Sequence, residues 1–160
     1  MPPARHCRYY WEDFTVGLVM PLGSIAVARD ATLAFAREFD PQPFHLDDAA
    51  AEASLFKRLS ASGWHTCAMT MRLMCDSYLN DSSSLGSPGI DELRWLKPVH
   101  PGDTLTAEMT VLESRRMNSK PHVGLVLSRW RVFNQDGADV MTMQGWGMFG
   151  LRHPPAAAAP

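Results

Sequence analysis

The stretch SASGWHTCAMTMRLMCDSYL, residues 60–79, decides the architecture of this chain. Beyond Ser62 and Gly63 it turns apolar, and Cys67, Ala68, Met69, Met71, Leu73, Met74, Cys75, Tyr78 and Leu79 leave little polar face. A helix that is apolar nearly all round is a buried helix. At ~1.5 Å per residue it spans ~24 Å, about the thickness of a small domain and too short to cross a bilayer. Its methionines read as core filling.

Outward from this helix the periodicity changes. The serine- and glycine-rich residues 80–89 read as a connection, and everything after them follows period 2. Residues 90–96 predict a strand and 99–103 a turn. Residues 104–111 alternate clearly, and 114–121 form a loop. A strand at about 123–133 is joined through Asp136-Gly137, a tight hairpin signal, to a last strand at about 138–149. Upstream, residues 24–28 suggest a first strand. Asp30 is placed to cap a helix through Glu38, and Asp47 or Asp48 to cap a short alanine-rich helix through about Leu55. One strand, several helices and then an antiparallel meander define an α+β layout, with a single sheet curled round a central helix. Residues 1–153 form one domain without internal repeats, and 154–160, rich in Pro and Ala, read as a disordered tail.

The chain has 160 residues, 46% hydrophobic and 20% charged, which suits one globular domain with a real core. A net charge of −2 argues against a general nucleic-acid or membrane-surface binder. Residues 1–7 are not an apolar leader of signal-peptide type. Three cysteines carry no disulfide spacing, and Cys67 and Cys75 are too far apart on one helix to bridge. They read as small core hydrophobes in a protein whose expected compartment is the cytoplasm.

The chemistry lies in residues 39–47, FDPQPFHLD. Asp40 and His45, five positions apart, are an acid and an imidazole in a segment that Pro41 and Pro43 should keep out of the helical region and make stiff. Fixed geometry supplies much of a catalytic rate, and a carboxylate beside an imidazole offers complementary proton chemistry near pH 7. Taken alone, the same residues read as a helix terminator and a packed aromatic. Ser62 and Gly63 open the central helix, where unpaired N–H groups and the positive end of the dipole lie. Alone they are an N-cap and a small residue at a turn.

Together with residues 10–17 (YWEDFTVG), 61–66 (ASGWHT) and 93–103 (LRWLKPVHPGD), this segment resembles the MaoC-like hydratases and dehydratases, which have the hot-dog fold. The resemblance runs from about Tyr10 to Phe149. It implies that Asp40 and His45 activate a water for addition across the double bond of a 2-enoyl thioester and deliver a proton to its α-carbon, the reverse reaction being dehydration of a 3-hydroxyacyl thioester. It further implies that the Gly63 N–H faces the thioester oxygen and that the Ser62 hydroxyl orients Asp40. The product by resemblance is an (R)-3-hydroxyacyl-CoA, in fatty-acid metabolism. No metal or redox cofactor is expected, coenzyme A being part of the substrate. The family signature has Gly and Asn where this chain has Phe39 and Gln42, which bears on the shape of the acyl pocket.

Arg115, Arg116 and Lys120 form the only local basic cluster and are candidates for the phosphates of coenzyme A. His65 reads as a packed or hydrogen-bonded helix residue, and the histidines show no metal-ligand spacing. Neither a phosphate-binding glycine loop nor a serine nucleophile elbow is present. Two rival readings are a hot-dog thioesterase and a non-catalytic acyl-thioester-binding protein. An open sheet edge invites pairing, so a homodimer or a larger even-numbered assembly is expected, with no nucleic-acid or membrane partner.

Overall fold

The computed structural model describes residues 7–155. Strands β1 (Val19–Ala26), β2 (Ser84–Trp95), β3 (Thr104–Arg116), β4 (Val123–Phe133) and β5 (Asp139–Gly150) form one five-stranded sheet in the order β1-β3-β4-β5-β2. Every neighbouring pair is antiparallel. Helices α1 (Arg29–Phe39), α2 (Pro43–Leu46), α3 (Asp48–Ala53) and α4 (Gly63–Ser77) lie between β1 and β2 in the chain. The fold is the α+β hot-dog fold, with α4 as the central helix.

Alternation in β3 turns Leu105, Ala107, Met109 and Val111 inward. They join Trp130, Val132, Val140, Met141 and Met143 from β4 and β5 and Met69, Leu73 and Met74 from α4 in one cluster. Phe14 closes the far end of this core, its ring 4.4 Å from Phe149 and 5.9 Å from Tyr78. The hairpin at 134–138 forms because the Asn134 side chain accepts from the backbone N–H groups of Asp136 and Ala138. Gly137 supplies the positive φ of 73° that the turn needs.

Several boundaries differ from the sequence reading. The stretch 84–89, expected to be part of a connection, is the first half of β2. It is an edge strand whose register shifts at Ser84/Gly86, Gly86/Gly89 and Ile90/Glu92, and bulged edges tolerate the Gly and Pro that would disrupt a central strand. Ser114, Arg115 and Arg116 are not loop but the end of β3, paired with residues 124–126 of β4. The first strand begins earlier, at Val19. Asp30 lies inside the first turn of α1 rather than capping it; the N-cap is Ala28, and no side chain fills that role. Asp47 does cap α3, accepting from Ala50 N–H at 2.9 Å.

The central helix is not buried all round. His65, Thr66, Met69, Thr70, Leu73 and Met74 face the core, while Trp64, Ala68, Met71, Arg72 and Asp76 face outward. Five strands wrap only part of its circumference, and the remainder stays apolar, with Trp64 59% and Met71 46% exposed. Cys67 and Cys75 accordingly sit half-buried rather than in the core, whereas Cys7 is buried. The last five residues of the tail read as disordered, 156–160, lie outside the described residues.

Met109 stands opposite Trp130 on the β3–β4 ladder and is 1% exposed. Met109→Ala is expected to cost about 2–5 kcal/mol, the range for emptying a packed core site. It should lower the denaturant midpoint with little change in slope.

Candidate active site

Asp40 is the residue at which α1 ends, and its N–H still bonds Ala36 O at 3.0 Å. The two prolines then act differently from the sequence expectation. Pro41 belongs to an extended link, but Pro43 starts α2, a single helical turn that carries His45. Proline is favoured at a first helical position because its missing N–H has no partner there and its φ is already helical. Where a loop was expected, His45 sits on a helical turn.

This turn buries the imidazole, and three contacts fix it. His45 Nδ1 lies 2.7 Å from Ser60 O. A carbonyl only accepts, so Nδ1 carries a proton and donates it to Ser60 O, leaving Nε2 directed at the space beside Asp40. Phe44 and Phe56 pack against the ring at centroid distances of 4.6 and 5.8 Å. The strap supplying Ser60 is itself anchored by the β2–β3 turn. Ala61 N–H donates to Val99 O at 2.7 Å, and His100 Nδ1 lies 2.8 Å from Leu59 O.

Nε2 of His45 stands 3.5 Å from Asp40 Oδ2. The other carboxylate oxygen, Oδ1, accepts from Gln42 Nε2 at 2.7 Å. Burial pushes the Asp40 carboxyl up, but hydrogen bonds from the Ser62 hydroxyl and Gln42, together with the neighbouring His45, outweigh it and hold the group below the ordinary carboxylate value. Asp40 is therefore ionised throughout the neutral range. Ser62 is the N-cap of α4, fully buried, and also accepts from Trp64 N–H at 3.2 Å. The first N–H of α4, that of Gly63, donates to no group among the described residues. Gly63 has no room for a side chain, since a Cβ there would run into the Trp95 ring, whose Nε1 donates to Gly63 O at 3.0 Å.

Asp40, Gln42, His45, Gly63, Trp95 and Lys97 share one cavity of about 400 Å³. A second, apolar cavity of about 820 Å³ adjoins it, running between α4 and the sheet past Met71, Tyr78, Trp130 and Phe149. Trp64 borders both. The four residues Asp40, His45, Ser62 and Gly63 are thus brought together as the sequence suggested. Arg115, Arg116 and Lys120 line neither cavity. Arg115 stacks over Trp146 and Arg116 over Trp11, because residues 115–116 are strand and not free loop. His65 is packed, 4.9 Å from the Phe35 ring and nearly parallel to it, and burial lowers its pKa.

The sequence reading missed Ser60, Gln42 as a partner of Asp40, Trp95 and Lys97. Ser60 acts through its carbonyl, which no side-chain pattern encodes. Trp95 and Lys97 lie within the quoted 93–103 motif, but only the packing of β2 against the start of α4 brings them to the site.

A curled antiparallel sheet around one central helix is the hot-dog fold, and here an acid–imidazole pair stands near that helix's N-terminus. The chain belongs to the MaoC-like domain family, whose model matches residues 20–128. It is similar to the MaoC-like dehydratase of Rhodospirillum rubrum, with 41% identity, a TM-score of 0.84, and coverage of 91% of this chain and 99% of that one. The R-hydratase PhaJ1 of Pseudomonas aeruginosa is 25% identical, with a TM-score of 0.69 and 94% of each chain covered. Mesaconyl-CoA hydratase of Cereibacter sphaeroides is 42% identical over 76 residues, which is 48% of this chain but only 22% of that protein.

Gln42→Leu removes a donor to the charged form of Asp40, so the Asp40 pKa should rise. Carboxyl carbon NMR of the aspartates, comparing wild type with the variant, checks the direction. An unchanged Asp40 titration would mean that the Gln42 bond does not stabilise the carboxylate.

Proposed function

We propose that this protein is a hydratase/dehydratase that interconverts trans-2-enoyl-CoA and (R)-3-hydroxyacyl-CoA. The observation that carries this reading is the orientation of His45. With Nδ1 donating to Ser60 O, its Nε2 faces the gap beside the ionised Asp40, next to an unengaged backbone N–H at Gly63.

A water lodged against Nε2 and Oδ2 donates a hydrogen bond to each, leaving its oxygen lone pairs free to attack. Its oxygen bonds to C3 of the enoyl thioester as a proton passes to the Asp40/His45 pair. The π electrons move towards the thioester carbonyl, and the Gly63 N–H meets the oxygen that gains charge. One preorganised donor of this kind is worth ~3 kcal/mol. The enolate then closes on C2, taking a proton from the pair, and the protein is restored. Addition of water is redox-neutral, and the base and the oxyanion donor are both protein groups, so no metal or redox cofactor enters the scheme. The apolar cavity past Trp64 accommodates the acyl chain. A thioesterase would instead require attack at the carbonyl carbon and release of the thiol.

Asp40→Asn and His45→Gln should each lower kcat by at least two to three orders of magnitude, with the double variant hardly worse than either single one. The assay follows loss of enoyl absorbance with crotonyl-CoA and a thiol reagent alongside. Thiol release without hydration would establish the thioesterase, and near-normal turnover by Asp40→Asn would overturn the mechanism.

The working unit is a homodimer. Strand β2 is an unpaired sheet edge, exposed along nearly its whole length, and it carries Leu85, Ile90 and Trp95 beside the outward apolar face of α4. A two-fold partner covers both at once, since each copy presents the same edge and helix face. It also closes the open side of the acyl cavity. Light scattering should therefore give twice the 17.8 kDa of one chain. Ile90→Lys is expected to shift the population towards monomer and lower activity in parallel, whereas a fully active monomer would refute the arrangement.

A further inference from the structure

Of all the side chains lining the cavity around Asp40 and His45, only Lys97 carries a fixed positive charge. It stands two residues beyond the end of β2, next to Trp95 and Leu96 on the same wall. Its backbone is held in place, with Leu96 N–H and Lys97 N–H both directed at Val140 O, at 2.8 and 3.4 Å. Pro98 follows and biases Lys97 to an extended conformation. The one acid that lines the same cavity, Asp40, is otherwise engaged. Glu92 pairs with Arg94 at 3.0 Å, and Asp40 is held by Gln42, Ser62 and His45. Among the described residues Lys97 has no ion-pair partner. The basic cluster expected to serve the phosphates of coenzyme A lies elsewhere, with two of its members over aromatic rings.

We infer that Lys97 is the anion-binding residue of this site. Its ammonium takes a negatively charged group of the substrate that lies away from the reacting carbons. Two parts of an enoyl thioester can supply that charge, a free carboxylate on the acyl chain or a phosphate of coenzyme A. An ammonium on a flexible four-carbon stem is a mobile point charge able to meet either one at the mouth of a cavity. The inference rests on the hydratase reading for the identity of the ligand but not for the existence of the contact.

Three thioesters separate the two sources. Crotonyl-CoA carries phosphates only, the N-acetylcysteamine thioester of mesaconate carries an acyl carboxylate only, and crotonyl-N-acetylcysteamine carries neither. Lys97→Ala should raise KM roughly tenfold for the thioester whose anion it meets, with a much smaller change in kcat, as expected for loss of a charge-assisted bond. Lys97→Arg should restore most of the loss, and the neutral thioester should respond far less. A rise confined to crotonyl-CoA assigns the phosphate, and one confined to the mesaconyl thioester assigns the carboxylate. Equal effects on all three, or none on any, would overturn the inference. Calorimetric titration of the same thioesters into Asp40→Asn, with and without Lys97→Ala, reads the contact without turnover. If wild type hydrates none of the three, the hydratase reading fails. Lys97 is then judged on the calorimetric difference alone, and its absence sinks the inference.

Discussion

Everything at this site depends on the partial wrapping of α4 by a five-stranded sheet. The core-facing side of the helix, from Met69 to Met74, is packed against alternating residues of β3, β4 and β5. That packing fixes the helix axis, and with it the position of the Gly63 N–H and the Ser62 cap. A helix terminus leaves N–H groups without intrahelical partners, so anchoring the helix body in the core places unpaired donors at a defined point on the rim. The same incomplete wrapping leaves Trp64 and Met71 outside, beside an unpaired edge strand. One geometric fact thus produces both an unengaged backbone donor at a fixed position and an exposed apolar face beside a sheet edge.

The acid–imidazole pair is held by a different set of constraints. Asp40 is fixed as the terminus of α1, and His45 by a helical turn begun by Pro43. The two are brought into register by the strap at 59–62, which reaches across to both. Ser60 offers its carbonyl to His45, and Ser62 offers its hydroxyl to Asp40. The strap in turn hangs on the β2–β3 turn through Val99 and His100. A shift of this turn would move the partners of Asp40 and His45 together, so residues far apart in the chain are held by one support.

The two cavities that meet at Trp64 differ in polarity. On one side lie Asp40, Gln42, His45 and Lys97; on the other, an apolar space is bounded by Met, Trp and Phe side chains. Asp40 stays ionised despite its partial burial because its hydrogen bonds and the nearby imidazole exceed the desolvation cost.

The sequence by itself determined the elements whose periodicity is strong and local. The β4 strand appears at the residues predicted, the central helix within a few residues of its reading, and Asp47, one of the two candidates, caps α3. It also singled out Asp40, His45, Ser62 and Gly63, which stand in two short motifs. Only the tertiary structure decided how they are poised. The tautomer of His45 follows from a backbone carbonyl contributed 15 positions away, and carbonyls leave no mark in a side-chain pattern. Gln42 is polar in the sequence but becomes a partner of Asp40 only when α1 ends where it does. The register of β2, and so the placement of Trp95 and Lys97, is set by bulges against β5. Pairing across 50 or more residues answers to packing and not to local propensity, which is why the residues 84–89 looked like a loop and are a strand.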